Sequence, residues 1–468
     1  MNEFNFERRL DARLIISVLA LGLMSFTAIL FETAMNVIFP TLMQEFDIPT
    51  STVQWVTTIN LMTLAIVIPT SSWLTKRFKM KHLFIASWLF FTVGTLLGLW
   101  SPSFSVLLIG RVLQGISGGI SIPLMNIIIL EQVPFKNTAT IMGIATLVIV
   151  LGPALGPAFG GFIVGIASWR MIFGSMLPLL ALSGIFGITC IRQSRALQRA
   201  PFDIMSFLLL GISFLCIIYP TSVISHVGIS SPMVWGLLLV AVVLLTIFVK
   251  HARKVEKPLL NLDILKTPTF TYCLIALLLA QFATLTRGFM IPNLFQLHGG
   301  VSAFVAGCIV LPACIIGAVM NPFSGRIYDT IGPKIPVTVG FILILIDLAL
   351  EMFFMVHVTA YTMMAICVIY CLGQSLALGN TTTFALRNLP GDQYGDGTAV
   401  INTLQQLFGA IGTAVASTLI TFGQAALPND IAQGTANGTQ TALYLNFVLG
   451  IIMLLCALKA LRSGNTSK

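Results

Sequence analysis

Apolar stretches of about 20 residues recur along this sequence from its first hundred residues to its last. A helix of that length rises roughly 30 Å, which is the thickness of the hydrocarbon core of a bilayer. Only 9% of the residues are charged, whereas a soluble domain carries about 25%. The first stretch begins after Arg13 and precedes no small-residue cleavage site, so we interpret it as a span and not as a signal peptide. The sequence therefore predicts an all-α integral membrane protein.

Prolines, glycines and charge clusters divide the apolar sequence into 14 predicted transmembrane helices. We predict these spans near residues 13–39, 53–73, 83–100, 105–130, 138–165, 171–191, 203–224, 232–250, 269–295, 303–324, 336–356, 358–386, 397–422 and 440–460.

The basic residues favour one orientation of these spans. With a cytoplasmic N-terminus and an even number of spans, 22 of the 25 lysine and arginine residues fall on the cytoplasmic side. Of the other three, Arg170 falls outside, and Arg111 and Arg287 fall within spans. We therefore expect a multi-pass protein of the cell membrane with both termini in the cytoplasm. Anionic lipid headgroups account for the net charge of +9, so it does not indicate a nucleic-acid partner.

A loop motif occurs twice and indicates an internal repeat. Residues 72–77 (SWLTKR) follow the second span, and residues 325–329 (GRIYD) follow the tenth. Two halves of six spans, separated by an extra pair, would produce this arrangement. We predict a six-helix bundle over residues 1–200, an inserted helix pair with its cytoplasmic loops over 201–266, and a second six-helix bundle over 267–468. Repeated halves place a substrate site near the bilayer midplane at their interface.

Charged residues within the spans are functional candidates, because a charge at bilayer depth costs about 2.5 to 3.5 kcal/mol. Glu32 lies in the first span and shares a helix face with Asn36. A desolvated carboxyl beside a cavity can take up a proton from one side of the membrane and release it to the other; the alternative is a structural carboxyl bonded to a neighbouring helix. Arg111 needs an acceptor, for which Glu32 or a backbone carbonyl is the natural choice, so it is either proton-linked or a fixed structural tie.

A second group of charges lies in the later spans. Asp347 and Glu351 are four residues apart in the eleventh span and therefore share a helix face, while Arg287 lies in the ninth. Two unpaired carboxylates would repel each other at low dielectric, so at least one is expected to be protonated. The pair is an additional proton site, a cation-recognition site or a structural partner of Arg287. Arg287 itself forms either an ion pair or a contact with substrate.

The fifth span is rich in small residues that permit close helix contact and a proline-induced bend. These residues are Gly143, Gly152, Gly156, Pro157, Gly160 and Gly161.

The fifth-span pattern resembles the antiporter signature of the major facilitator superfamily, and in particular of its fourteen-span drug:proton antiporters. The segment Arg111-Val-Leu-Gln114-Gly115 resembles the family's fourth-span motif, whose arginine is implicated in proton transfer. Residues 31–40 are similar to the first-span motif, in which an acid is proton-linked. Through this segment and residues 396–406, the chain is most similar to Gram-positive lincomycin-resistance exporters.

The resemblance has two departures. The first-span acid is Glu32 where many members have aspartate, and the first cytoplasmic gate motif has Lys76 and Lys79 where aspartate and glycine are usual. The second copy keeps its aspartate and its final glycine and is expected to carry more of the gating. The resemblance assigns the cytoplasmic gate to Arg77, Gly325, Arg326, Asp329 and Gly332.

These features favour a proton-coupled exporter of lipophilic or cationic drugs, lincosamides among them, that works by alternating access. Glu32, Arg111, Asp347 and Glu351 are the candidates for proton coupling. Asn36, Gln114 and Arg287 are expected to line or support the substrate cavity. No cofactor is expected besides protons, no spacing of cysteine or histidine indicates a metal site, and no phosphate-binding loop indicates ATP.

The expected partners are small-molecule drugs, protons and membrane lipids, with the protein acting as a monomer. One alternative is export of an endogenous metabolite, peptide or lipid, which a broad apolar cavity would serve equally well. An intramembrane enzyme and a passive channel are the remaining alternatives. Neither is favoured, because the sequence contains no catalytic constellation with a substrate-positioning motif and no filter-like loop.

Overall fold

The computed structural model describes residues 10–194, 197, 202–228, 230–255, 258–354, 359–390 and 393–463. Six basic residues of the predicted charge asymmetry lie outside these ranges: Arg8, Arg9, Arg195, Arg199, Lys257 and Lys468. Within the helix that contains Gly143, the surroundings of that residue and the side chain of Lys136 also lie outside what the structure describes.

The described chain is helical, apart from its loops and turns. Its α-helices are α1 (Ala12–Val37), α2 (Phe39–Phe46), α3 (Thr50–Val53), α4 (Trp55–Val67), α5 (Ser71–Arg77), α6 (Met80–Leu99), α7 (Phe104–Gln132), α8 (Phe135–Ile166), α9 (Met171–Cys190), α10 (Ile204–Val227), α11 (Pro232–Ala252), α12 (Pro268–Leu297), α13 (Ala303–Cys308), α14 (Leu311–Ile331), α15 (Lys334–Phe354), α16 (Ala360–Arg387), α17 (Tyr394–Ala426) and α18 (Ile431–Ser463). Two 3₁₀ segments, Ile68–Thr70 and Leu262–Lys266, complete the described secondary structure.

The fourteen predicted spans correspond to these helices. In the described ranges, thirteen helical stretches are long and apolar enough to cross a membrane. The second span is built from α3 and α4, and the tenth from α13 and α14. Helix α8 supplies the remaining span, with Leu151–Ile166 as its described apolar part. The predicted class, an all-α membrane protein with two six-helix bundles and an inserted pair, is confirmed, and the chain is a multi-pass membrane protein.

The first span is shorter than predicted. Helix α1 ends at Val37, Ile38 has non-helical dihedrals (φ −94°, ψ 2°), and Pro40 lies in the first turn of α2. Proline fits the first turn of a helix because no intrahelical N–H bond is lost there. The short α2 therefore starts a new helix.

Each half of the chain packs mainly on itself. In the first half α1 packs against α8 and α9, α4 against α7, and α6 against α7 and α9. In the second half α12 packs against α17 and α18, α14 against α16, and α15 against α16 and α18. The inserted helices α10 and α11 pack on each other, and α10 also contacts α4 of the first half and α17 of the second.

The molecule has two ends, which we name by the chain termini. The termini face carries the start of α1 and the end of α18, and the opposite face carries the turns near residues 38–54 and 298–302. The halves are in close contact toward the opposite face. Gln296 Nε2 donates to the carbonyl oxygen of Val37 at 2.8 Å, and Thr50 Oγ1 donates to Gln424 Oε1 at 2.9 Å. One buried apolar cluster, which includes Phe31, Phe39, Phe289 and Ala416, spans both halves there.

Candidate functional site

Arg111 lies on α7 and is almost completely buried. Its Nε donates to the carbonyl oxygen of Val56 at 3.0 Å, and its Nη1 donates to Gln114 Oε1 at 2.6 Å. Gln114 in turn donates from Nε2 to Thr95 Oγ1 at 3.1 Å. Nη2 of Arg111 is buried and has no hydrogen-bond partner among the described residues. The guanidinium is thus held by neutral acceptors, with one donor left over.

Glu32 lies half-buried on α1. Among the described residues, no hydrogen bond and no ion pair involves its carboxylate, and Arg111 is the one charged group that acts on it electrostatically. The sequence left two acceptors open for Arg111, Glu32 or a backbone carbonyl. In this conformation the carbonyl of Val56 is the direct partner, while Glu32 remains within electrostatic range of an unpaired donor.

Asn36 lies one helical turn after Glu32 on α1 and is buried. Its Oδ1 accepts a hydrogen bond from Thr57 Oγ1 at 2.9 Å, which joins α1 to α4. A Cβ on Gly288 would lie 3.5 Å from Asn36 Nδ2, so this amide also approaches α12 of the other half. Asn36 is therefore part of the contact between the two halves.

Small residues of α8 face two different helices. A Cβ at Gly156 would lie 2.0 Å from Thr33 Oγ1, and one at Gly160 would lie 2.7 Å from the carbonyl oxygen of Ala34, both on α1. A Cβ at Gly161 would lie 2.4 Å from the carbonyl oxygen of Ala303 on α13.

The same pattern extends along α8 and across the two halves. A Cβ at Gly152 would lie 3.0 Å from Ile29 on α1, and a Cβ at Gly307 of α13 would lie 2.1 Å from the Pro157 carbonyl oxygen. These residues let α8 approach α1 within its own half and α13 of the other half.

The charged residues of the second half form one cluster. Arg287 on α12 donates from Nε to both carboxylate oxygens of Glu351 at 2.9 Å, and from Nη2 to Oε1 at 2.6 Å. Nη2 also lies 3.3 Å from Oδ2 of Asp347. The structure therefore joins the three residues, as one of the sequence interpretations required.

Uncharged groups of α16 complete this cluster. The Arg287 guanidinium lies over the ring of Tyr370 at 3.6 Å from its centroid, and Nη2 lies 3.7 Å from Cys367 Sγ. The Tyr370 hydroxyl and Thr284 Oγ1 are 2.9 Å apart, and Gln374 Nε2 donates to Thr284 at 2.7 Å. None of these partners was a candidate from sequence. A tyrosine within an apolar span, at the same depth as a buried arginine, is a weak signal for such stacking.

The predicted gate residues lie on the termini face. Arg77 at the end of α5 and Arg326 on α14 are exposed, and no ion pair among the described residues involves them. A Cβ at Gly325 would meet no atom within 4 Å. Gly332 ends α14 with φ +81°, a conformation that favours glycine.

The acidic residue of the second motif has a partner that sequence reasoning missed. Asp329 lies 3.9 Å from Arg387 Nη2 at the end of α16, and Arg387 lies over the Tyr328 ring at 5.2 Å. Both charged side chains are exposed, so this contact is weak.

A second ionic contact that sequence reasoning missed lies on the opposite face. Arg170, the one basic residue predicted outside, donates from Nη1 to Glu45 Oε1 at 2.6 Å and from Nη2 to the carbonyl oxygen of Ser101 at 2.8 Å. Trp169 Nε1 donates to Glu45 Oε2 at 2.5 Å. Burial disfavours the charge of Glu45, but these hydrogen bonds outweigh it and hold the pKa of the carboxyl below its usual value.

Among the described residues, no group of three or more histidine, cysteine, aspartate or glutamate side chains is arranged to hold a metal ion. The charged side chains buried within the described helices are Arg111, Arg287, Asp347 and Glu351.

Comparisons with known proteins identify the family. The model of the Major Facilitator Superfamily matches residues 21–413. The chain is 34% identical over 452 residues to lincomycin resistance protein LmrB of Listeria monocytogenes, covering 95% of this chain and 96% of that protein. It is also 34% identical to lincomycin resistance protein LmrB of Bacillus subtilis, over 94% of both proteins.

A solved structure has the same fold. A bacterial homologue of the human lysosomal transporter Spinster, in an inward-facing and unoccupied conformation, superposes with a TM-score of 0.67 over 98% of this chain and 99% of that chain. Its sequence identity is 17%, so this likeness concerns the fold.

Proposed function

Since this chain belongs to the major facilitator superfamily, we propose that it exports lipophilic and cationic drugs, lincosamides among them, in exchange for protons. The chain is a membrane transporter and not an enzyme, and its relatives include lincomycin resistance proteins. The proposal adds the coupling ion, the substrate class and the roles of individual residues.

The relation between Glu32 and Arg111 carries the proposal. A negative and a positive group interact through their charges, yet neither is paired with the other, and Nη2 of Arg111 is an unused donor. When Glu32 binds a proton, its attraction to Arg111 is lost; when it releases the proton, the attraction returns. The protonation state of one carboxyl thus changes the force between α1 and α7.

A proton gradient supplies enough free energy for this exchange. One inward proton yields about 2.3 kcal/mol per 100 mV of membrane potential and about 1.4 kcal/mol per pH unit. The sum of roughly 3 to 4 kcal/mol sustains a drug gradient of a hundredfold or more.

The orientation follows from the charges of the loops. Because basic residues concentrate on the cytoplasmic side of membrane proteins, we assign the termini face to the cytoplasm. The opposite face, where the halves are in contact, is then external. In a state that is open to the cytoplasm, the transporter would release its proton there and receive a drug from it.

Two gates, one on each side of the membrane, would close in different states of this cycle. We propose that the contact of Gly161 with α13 closes the external side in this state, while Gly160 lets α8 pack against α1 within the first half. In the other state, the loops that carry Arg77 and Arg326 would approach each other and close the cytoplasmic side. Asn36 and Gln114 would support the cavity between the halves.

The domain boundaries are part of the proposal. We assign residues 1–200 and 267–468 to the two moving bundles and residues 201–266 to the inserted pair. Membrane lipids would surround a monomer in the cell membrane.

Collapse of a preset pH gradient in everted vesicles tests the proposal. Lincomycin or ethidium should dissipate the gradient in vesicles with the wild-type protein, and Glu32→Gln should diminish this effect because the variant has lost the proton that Glu32 exchanges. Asp430→Asn is the matched control, since this carboxyl is exposed on the opposite face and should retain wild-type activity. Drug-dependent proton flux that persists undiminished in Glu32→Gln would contradict the assignment.

A further inference from the structure

The Arg287 cluster has more negative than positive formal charge. Asp347 and Glu351 have side-chain exposures of 0%, and Arg287 has 7%. Two carboxylates beside one guanidinium would leave a net charge of −1 in a site that is almost fully buried. Such an unpaired buried charge is strongly disfavoured, and a group in this position takes up a proton instead.

The hydrogen bonds show which carboxyl is the ionised partner. Glu351 accepts from both Nε and Nη2 of Arg287, at 2.9 and 2.6 Å. Asp347 is farther away, with Oδ1 at 3.5 Å and Oδ2 at 3.3 Å from Nη2, and its buried Oδ2 has no hydrogen-bond partner. The short bidentate contact is typical of a carboxylate with arginine, so the proton belongs on Asp347.

The described residues of the neighbouring helices provide no second cation. Helix α16 presents Cys367, Cys371 and Tyr370, and α14 presents Cys314; these groups are neutral or weakly acidic. On α12, the residue beside Arg287 is uncharged Thr286. A proton is therefore the remaining means of neutralising the cluster.

Buried polar atoms without partners lie at the depth of the cluster. Neither side-chain polar atom of Asn446 on α18 has a hydrogen-bond partner among the described residues. Asn446 lies between Gln440, which donates to the carbonyl oxygen of Met352, and Gly450, where a Cβ would lie 2.8 Å from Leu348. It is therefore at the depth of Asp347 and Glu351. Buried polar groups of this kind are usually satisfied by water, which would also carry a proton.

We propose that Asp347 is a second proton carrier, in the half of the molecule that does not contain Glu32, so that two protons exchange for each drug. On release, the O–H bond of the Asp347 carboxyl breaks and the proton passes to water that reaches the cluster in another state of the cycle. Hydration and Arg287, which lies 3.3 Å away in this state, would stabilise the resulting carboxylate. This inference rests on the proposed proton-coupled export and adds its stoichiometry.

Infrared spectroscopy of the purified, drug-free protein tests the protonation. Asp347→Asn should remove a protonated-carboxyl band that Glu32→Gln and Asp430→Asn retain. Glu351→Gln should remove the same band, because Asp347 must then ionise to pair Arg287. Loss of the band in both Asp347→Asn and Glu351→Gln distinguishes a proton shared by the cluster from a static ion pair. Either variant suffices for the test if the other fails to fold. A band of wild-type size in Asp347→Asn or in Glu351→Gln would overturn the proposal.

Counting protons in proteoliposomes tests the carrier role. With lincomycin as the probe and ethidium as the second probe, the wild type should move two protons per drug and Asp347→Asn one. An equal count in both proteins would overturn the second carrier and leave the proposed function intact. A wild type that moves no proton with either drug would instead contradict the proposed function itself.

Discussion

Arg111 and Arg287 are both buried guanidinium groups, but their partners differ in kind. Arg287 is bound by a carboxylate in a bidentate contact and by an aromatic ring. Arg111 is bound by a carbonyl and an amide, which leave its positive charge without a counter-ion in hydrogen-bond contact. The first arrangement is neutral only with a bound proton, whereas the second can respond when Glu32 changes its charge.

Glu45 gives a residue-scale prediction about pH. Its folded-state pKa is lowered, so its contacts stabilise the fold above the unfolded pKa of about 4.3 and are lost as the pH falls through the folded pKa. Glu45→Gln should therefore cost about 1 kcal/mol or less at pH 7, because the pair is partly exposed. This loss of unfolding free energy should vanish once the pH falls below the folded-state pKa of Glu45. Thermal unfolding of both proteins at several pH values measures this, and a stability difference that is independent of pH would contradict the account.

Among the helices, α8 makes a close contact between the two halves. Cβ atoms at Gly160 and Gly161 would meet backbone atoms of α1 and α13, and backbone cannot move aside as a flexible side chain can. The distance between α8 and these neighbouring helices therefore depends on the absence of Cβ atoms at its glycines.

Gly161→Ala should disturb the contact with α13 and shift the protein toward a state that is open on the opposite face. Overpacking of this kind costs about 1 to 3 kcal/mol. Gly165→Ala is the matched control on the same helix, because a Cβ there would meet no atom within 4 Å. Maleimide labelling of a cysteine introduced at buried Ala306 should increase in Gly161→Ala alone. Equal labelling of the two alanine variants would count against α8 as the closing element.

The sequence predicted the long helices well, because the bilayer sets their length and the apolar runs are continuous. It did not predict the break at Ile38 or the separate α2, since these depend on local turn geometry. Glu32, Arg111 and the Arg287 cluster were found because charges are rare in apolar spans. A backbone carbonyl was one of the two acceptors expected for Arg111, but the sequence did not identify it as that of Val56. Tyr370 beside Arg287 and Arg387 beside Asp329 were missed because only tertiary packing brings them close.

At the scale of the whole molecule, the inserted pair touches both halves. Gln54 of the first half donates from Nε2 to Ser222 Oγ on α10 at 2.8 Å, and Thr418 on α17 donates to the Thr221 carbonyl oxygen at 2.6 Å. Helix α10 thus bridges α17 and the turn before α4 near the closed face. In the proposed cycle, movement of the halves would either break these contacts or move α10 together with one half. Opening of the opposite face is therefore linked to the position of the inserted helix pair.

Coupling of drug export to protons through Glu32 can be measured with purified protein in liposomes, without ATP, under an imposed pH gradient. The wild type should accumulate radiolabelled lincomycin against its gradient. Glu32→Gln should accumulate much less of the drug but should still exchange labelled for unlabelled lincomycin, because binding and movement of the halves remain. Accumulation by Glu32→Gln at the wild-type level would contradict the account.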